Sequence, residues 1–162
     1  MPGFASLLAA SAVRVASLNM CTDEYLLLLA RPREIASVSR LSRDPADSSL
    51  WQLGQRFPGN RGDLESALKT RPNLLITMGG GGKSTALIAG KMGLRTLDLP
   101  FPMTVADVAS NMDRVAAALG EPARSLPWKR HLVRLQSSHQ AHGTPFSSER
   151  EATASARTRS RR

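Results

Sequence analysis

The string LLITMGGGGKST at residues 74–85 holds the residue types that could most directly do chemistry. An apolar, strand-like run leads into four glycines, and Lys83 and Ser84 follow, which is nearly the composition of a phosphate-binding loop. Such a loop requires a glycine, any four residues, and then Gly-Lys-Ser or Gly-Lys-Thr. Counting back from Gly82, the first glycine should stand at position 77, where the chain has Thr77. The residue that lets the loop wrap around a phosphate is therefore missing.

A protein that hydrolyses nucleotides also needs an acid at a second strand end to hold magnesium. The only later acid near an apolar strand is Asp98, and no water-orienting base stands near it in the sequence. We therefore interpret the glycines as a turn between a strand and a helix, where glycine tolerates positive φ. A small nucleotide-binding protein that uses the loop at residues 79–83 is the alternative.

The charge of the chain is concentrated near its carboxyl terminus. The 162 residues carry a net charge of +9, of which +6 falls within residues 125–162. This segment is rich in Ser, Arg and His and has no sustained apolar periodicity, so we expect a disordered basic tail. Weak, non-specific binding of nucleic acid through the tail is a second alternative, because clustered cations attract phosphates. We expect no specific nucleic-acid partner, since only 4% of the residues are aromatic.

Histidine and cysteine usage limits the chemistry of the remaining chain. All three histidines, His131, His139 and His142, lie in the tail segment, and Cys21 is the only cysteine. A zinc site or catalytic triad that uses histidine is therefore excluded before residue 125. An intrachain disulfide is excluded as well.

The first twelve residues, MPGFASLLAASA, are small and apolar. Residues 10–12 read Ala-Ser-Ala, the form of a signal-peptidase site, but no Lys or Arg precedes the apolar stretch. We interpret residues 1–12 as the remnant of a signal peptide.

Strands and helices alternate along residues 13–124. Alternation of this kind predicts an α/β fold, a parallel sheet of about four strands with helices on both faces. Ligands of such sheets bind beyond the carboxyl ends of the strands, so the ends at residues 19–21, 39–41 and 78–82 should meet at one edge. The predicted strands are residues 13–18, 35–39, 74–77 and 94–99, and residues 57–62 are interpreted as loop. We expect Thr22 to cap the first helix. The clearest predicted helix begins at Thr104, which resembles a capping box with Asp107.

Five strings in this order resemble the amino-terminal lobe of periplasmic substrate-binding proteins of ABC importers for iron-siderophores and vitamin B12. The most specific is GDLESALKTRPNLLIT, in which an acid, Leu and Glu precede two apolar positions, an Arg-Pro-Asn turn and an apolar strand. The strings are VRVASLNMCTDEYLLLLA (13–30), IASVS (35–39), GDLESALKTRPNLLIT (62–77), MGLRTLDLP (92–100) and VADVASNMDRVAAALGEP (105–122).

The resemblance implies two α/β lobes joined by a rigid helix, with an iron-siderophore, cobalamin or related iron complex held between them. It further implies a periplasmic, monomeric binding protein, neither an enzyme nor a carrier of a cofactor or resident metal, that docks on an ABC permease in the inner membrane. Glu65 matches the family's docking glutamate. For the ligand pocket we name Asn19, Met20, Cys21, Ser39, Arg40, Gly79, Gly80 and Gly81.

The chain departs from the family pattern after Arg124. The family continues with the linking helix and a second lobe, whereas this chain continues with the basic segment. We therefore expect a lobe at residues 13–124, a tail at 125–162, and a gene that is truncated or shifted in frame after about residue 124.

Overall fold

The sheet is parallel throughout and has five strands in the order β3-β2-β1-β4-β5. A computed structural model describes residues 12–80 and 83–142, with side chains described as far as residue 138. Two halves wind outward from the central strand β1, one through β2 and β3, the other through β4 and β5. The strands are β1 (Val15–Ser17), β2 (Ile35–Ser39), β3 (Gly59–Asn60), β4 (Leu74–Met78) and β5 (Arg95–Leu99).

Helices cover both faces of the sheet, which confirms the predicted fold class. On the central strand, Val15 packs on one face and its neighbour Ala16 on the other, because successive side chains of a strand alternate. Within the described residues, no helix is long and apolar enough to cross a membrane. The helices are α1 (Met20–Leu29), α2 (Trp51–Gly54), α3 (Leu64–Leu68), α4 (Lys83–Lys91), α5 (Val105–Ala118) and α6 (Leu126–His142).

The larger core lies between the sheet and the helices α1 and α5. Leu26 and Val115 are fully buried there, beneath Ile76 of β4. The smaller core on the opposite face joins Leu75 to Ala67 of α3 and Ala89 of α4. These buried contacts hold the helices on the two faces of the sheet. They therefore also position the loops that connect the strands to the helices.

The sheet has one strand more than the four that we predicted, because β3 lies in a segment that we interpret from the sequence as loop. The string FPGNRG at residues 57–62 has no apolar alternation. Gly59 and Asn60 nevertheless pair with Val38 and Ser39 of β2. A strand of two residues buries too little apolar surface to leave a pattern in the sequence.

Two helices begin at side chains that accept hydrogen bonds from their first turns. Thr104 and Asp107 form the predicted capping box of α5, in which each side chain accepts from the other residue's backbone amide. For α1 we expected Thr22 as the cap, which is wrong. Asn19 caps α1 instead, and its Oδ1 accepts from the amide of Thr22 at 3.0 Å.

The prediction of a disordered tail from residue 125 is wrong for the part that the structure describes. A short 3-10 turn at Pro122–Ser125 leads into α6, which runs from Leu126 to His142. Trp128 packs against the larger core and donates a hydrogen bond from Nε1 to the carbonyl of Leu28 at 3.2 Å. Residues 143–162 of the predicted tail, and the predicted signal remnant except for Ala12, lie outside the described residues.

A bidentate ion pair joins the 3-10 turn that precedes α6 to the body of the lobe. The guanidinium of Arg124 donates to both carboxylate oxygens of Glu34, at 2.5 and 2.9 Å. Both side chains are largely buried, with 13% and 10% of their surfaces exposed. Hydrogen bonds from Arg124 hold the pKa of Glu34 below its ordinary value of 4.5, although burial acts in the opposite direction.

This depressed pKa predicts a pH-dependent effect of the substitution Glu34→Gln. The Glu34 carboxylate stabilises the fold above about pH 4.5, and that contribution disappears as the pH falls through the lower pKa of the folded state. We expect the stability gap between wild type and Glu34→Gln in urea unfolding to be full at neutral pH and to narrow in more acidic buffer. A gap that stays constant as the buffer is acidified would contradict the assignment.

Candidate functional site

A cleft opens at the carboxyl edge of the sheet, beyond the ends of β1, β2 and β3. Because all strands are parallel, their carboxyl ends meet at this edge, which is where ligands of open α/β sheets bind. One wall follows β1, a second follows β2, and a third follows β3. The lining residues are Leu18, Asn19, Ser39, Arg40, Leu41, Asp44, Asp47, Arg61 and Gly62.

The first wall is fixed by the start of α1. The hydroxyl of Thr22 donates to the carbonyl of Asn19 at 3.0 Å, and it also lies 2.7 Å from the hydroxyl of Ser17. Ser17 and Thr22 are fully buried, whereas Asn19 is half-buried at the cleft. The sequence Ser-Leu-Asn at the end of β1 therefore turns into the helix with its polar groups satisfied.

The second wall rests on the carboxylate of Asp23, which is fully buried on α1. The carboxylate accepts from the amide of Ser39 at 3.0 Å and from the hydroxyls of Ser39 and Ser42, each at 2.5 Å. Burial raises the pKa of Asp23 above its ordinary value, while the hydrogen bonds from these serines act against that rise.

The third wall rests on the amide of Asn60, the last residue of β3. Its Nδ2 donates to the carbonyl of Ser17 at 2.8 Å and to the hydroxyl of Ser37 at 2.9 Å. Its Oδ1 accepts from the amide of Gly62 at 2.8 Å, and its backbone carbonyl accepts from the amide of Arg40 at 3.0 Å. This one buried side chain thus links three neighbouring strands at the base of the cleft.

Two arginines give the cleft its capacity to bind anionic groups. Arg40 is exposed and makes no ion pair with any residue that the structure describes. Arg61 is half exposed and pairs with Asp63 at 3.1 Å and with Glu65 at 3.8 Å. Guanidinium groups bind carboxylates and phosphates through paired N–H donors. Arg40 can therefore bind an oxygen anion of a ligand, in a cleft that is also lined by the carboxylates of Asp44 and Asp47.

The structure brings three of the predicted pocket residues together in this cleft: Asn19, Ser39 and Arg40. Met20 and Cys21 form the first turn of α1 and are not among the residues that line it. Cys21 is exposed and carries a free thiol. The assignment of these five residues to ligand binding remains a prediction.

Gly79 and Gly80, the described part of the glycine run, form a separate turn at the end of β4. Gly79 and Gly80 both have positive φ, at 81° and 73°, while Gly81 lies outside the described residues. The carboxylate of Asp98 accepts from the hydroxyl of Thr77 at 2.6 Å and from the amide of Gly80 at 3.0 Å. Neither glycine that the structure describes lines the cleft.

These contacts argue against the alternative of a phosphate-binding loop. In such a loop, backbone amides and a lysine face the phosphates. Here the amide of Gly80 donates to the carboxylate of Asp98 and is not free to bind a phosphate. Lys83 is exposed at the start of α4. The two residues that failed the sequence test, Thr77 and Asp98, bind each other and close the turn.

Sequence reasoning missed six residues of the cleft, five of which follow β2 or β3. A signal was available for Gly62, because a glycine in a turn-like string such as PGNRG indicates a special backbone conformation. Its φ is 84°, and a Cβ atom there would lie 2.9 Å from the carbonyl oxygen of Leu18. The missed residues are Leu18, Leu41, Asp44, Asp47, Arg61 and Gly62.

Metal ligation is a separate question from the cleft. Across residues 12–80 and 83–142, no three His, Cys, Asp or Glu side chains are grouped so as to hold a metal ion.

Comparison with known proteins relates this fold to periplasmic binding proteins. No protein-family model matches the chain, and a search of curated proteins found no related sequence. Solved structures do match. The periplasmic heme binding protein HutB of Vibrio cholerae is similar, with 19% identity and a TM-score of 0.68 over 83% of this chain and 52% of that one.

Two further similar structures are those of proteins named for other ligands. The siderophore binding protein FhuD of Vibrio cholerae, solved with Fe3+-Desferal, has 18% identity and a TM-score of 0.57 over 81% of this chain and 51% of its own. The periplasmic vitamin B12 binding protein BtuF of Vibrio cholerae has 20% identity and a TM-score of 0.57, over 82% and 52%.

The chain has the fold of one lobe of a two-lobed periplasmic binding protein. It spans about half the length of each of these solved structures. The resemblance identified in the sequence is therefore confirmed for the fold. In the lobe, Glu65 stands on the surface of α3 with 82% of its side chain exposed, so it is accessible to a partner.

Proposed function

We propose that this lobe belongs to a substrate-binding component of an ABC importer for an iron-siderophore, cobalamin or a related iron complex such as heme. The observation that carries the proposal is the cleft at the carboxyl edge of β1, β2 and β3, with Arg40 and Arg61 on its walls. Heme and many siderophore complexes carry carboxylate or other oxygen groups that a guanidinium can bind. The fold shared with heme, siderophore and vitamin B12 binding proteins supports the same assignment.

We further propose a periplasmic location and a role for Glu65 in docking on a membrane permease. The exposure of Glu65 supports this role, since its nearest cation, Arg61, lies 3.8 Å away in a solvent-exposed pair of little strength. A partner's arginine could replace that contact at small cost.

Ligand binding can be tested by calorimetric titration of the whole chain with hemin, cyanocobalamin and iron(III)-desferrioxamine. We expect at least one of the three to bind. For an anionic probe that binds, Arg40→Ala should weaken the affinity about tenfold, which is the range expected for one charge-assisted hydrogen bond.

Arg33→Ala provides the matched control for this titration. Arg33 is also exposed but precedes β2, so it lies at the amino edge of the sheet, opposite the cleft. Absence of binding by all three probes would contradict the proposed function. Equal weakening by the two substitutions would place the bound molecule outside the cleft.

A further inference from the structure

Asp23 is an acidic residue on α1 that is fully buried beside the cleft. A carboxylate taken out of water costs free energy unless it is well hydrogen-bonded, and an apolar side chain could fill the same place without that cost. Asp23 has no exposed surface and lies in the first turn of α1. Its hydrogen bonds therefore show which part of the molecule it holds in place.

Most hydrogen bonds of the Asp23 side chain go to residues 39–42 at the end of β2, and Ser17 on β1 supplies a further one. One carboxylate oxygen accepts from the hydroxyls of Ser39 and Ser42, and both oxygens lie within 3.1 Å of the Ser39 amide. Ser39 and Ser42 are buried, with 3% and 0% of their surfaces exposed. Between them stand Arg40 and Leu41, which are both exposed on the wall of the cleft.

The segment that begins at Ser39 and includes Arg40, Leu41 and Ser42 has a defined backbone conformation. Residues 41–43 form a single 3-10 turn, in which the amide of Arg43 donates to the carbonyl of Arg40 at 3.0 Å. The Arg40 amide donates to the carbonyl of Asn60 on β3. A 3-10 turn of three residues has little stability of its own. The hydrogen bonds at its two ends therefore contribute to its order, together with the packing of α2 against Ser42.

We propose that Asp23 is a positioning residue of the ligand cleft, whose buried carboxylate clamps Ser39 and Ser42 and thereby fixes the presentation of Arg40. This inference rests on the proposed function, because that function assigns ligand binding to Arg40. The clamp itself is a property of the lobe and can be measured without any ligand.

Hydrogen exchange of backbone amides in Asp23→Asn tests the clamp. The asparagine side chain keeps the shape, but its NH2 group cannot accept from the serine hydroxyls that it faces. We expect exchange at Ser39, Arg40 and Arg43 to accelerate about tenfold or more, while exchange at Leu75 in the central sheet stays nearly unchanged. Ser42→Ala, which removes one donor and leaves the carboxylate charged, should accelerate the same amides by a smaller factor.

Asp113→Asn is the matched control for this exchange measurement. Asp113 is a carboxylate that also accepts from a serine hydroxyl, that of Ser125 at 2.6 Å, but on α5 and away from the cleft. Its substitution should leave the amides of residues 39–43 unchanged. Uniform acceleration over the whole sheet in Asp23→Asn, or none in the segment, would overturn the proposal. If Asp23→Asn does not fold, the same two outcomes are judged on Ser42→Ala.

A second arm uses iron(III)-desferrioxamine and hemin as probes and combines Asp23→Asn with Arg40→Ala. If Asp23 acts through Arg40, then Arg40→Ala should weaken binding of a probe markedly in the wild-type background and hardly at all in Asp23→Asn. Independent, additive losses would overturn the positioning role. If neither probe binds wild type, the proposed function fails for these ligands, while the exchange result still decides the clamp.

Discussion

Replacing Arg124 by alanine is expected to lower the free energy of unfolding by about 3 kcal/mol, because it leaves a largely buried carboxylate without its partner. The guanidinium makes two hydrogen bonds to Glu34, one to Glu121 at 2.8 Å, and one to the carbonyl of Leu29 at 3.3 Å. These contacts tie the turn before α6 to α1 and to the start of β2. Urea unfolding followed by the fluorescence of Trp51 and Trp128 measures the loss.

A matched control for Arg124 is Arg130→Ala on α6. Arg130 is exposed and makes no ion pair inside the described part of the chain, so its loss should change the free energy of unfolding by no more than about 0.5 kcal/mol. Similar small effects of both substitutions would contradict the structural role of residues 122–128.

The second large effect is expected for Gly54→Ala at the end of α2. A Cβ atom at this position would lie 2.0 Å from the carbonyl oxygen of Ser42 and 2.8 Å from its carbonyl carbon. Backbone atoms cannot move aside as a flexible side chain can, so either α2 or the turn at residues 41–43 must shift. We expect a loss of about 3 kcal/mol in the free energy of unfolding, at the upper end of the range for overpacking.

Gly90→Ala is the control that separates this steric effect from the general effect of replacing glycine. A Cβ atom at Gly90 meets no atom within 4 Å, and the residue lies in α4. Because alanine favours the helix more than glycine does, this substitution should stabilise by about 0.5 to 1 kcal/mol. Chemical denaturation of both variants checks the pair. The two changes in the free energy of unfolding should have opposite signs. A Gly54→Ala variant as stable as wild type would contradict the close approach of α2 to Ser42.

The parts of the fold that the sequence predicted are those with strong local signals. The buried strands β2 and β4 are continuous apolar or small runs, and α5 carries both a capping box and a regular apolar face. The order of these elements was sufficient to predict a parallel sheet with helices on both faces.

The errors arise where a few tertiary contacts outweigh the local composition. Residues 126–142 are basic and poor in apolar residues, yet α6 is held by Trp128, by Leu132 four residues later, and by the pair of Lys129 with Asp113 at 2.6 Å. Asn60 in β3 is a polar residue in a loop-like string. Its role depends on Ser17 and Ser37, which are distant in sequence.

The candidate site was predictable only as an edge of the sheet. The rule that ligands bind beyond the carboxyl ends of strands led to Asn19, Ser39 and Arg40. It could not show that β4 ends in a turn closed by Asp98, because that contact joins residues about twenty positions apart. Nor could it find Arg61, since the strand before it was not recognised.

The central claim is that the cleft beyond β1, β2 and β3 binds a ligand of the heme, siderophore or cobalamin class. The most direct test is to map backbone amide NMR shifts of the lobe during titration with hemin, iron(III)-desferrioxamine and cyanocobalamin. Binding in the cleft predicts that at least one probe shifts the amides of Asn19, Arg40 and Gly62 while those on α6 stay in place. Shifts confined to α6 or to the glycine turn, or none with any probe, would contradict the claim.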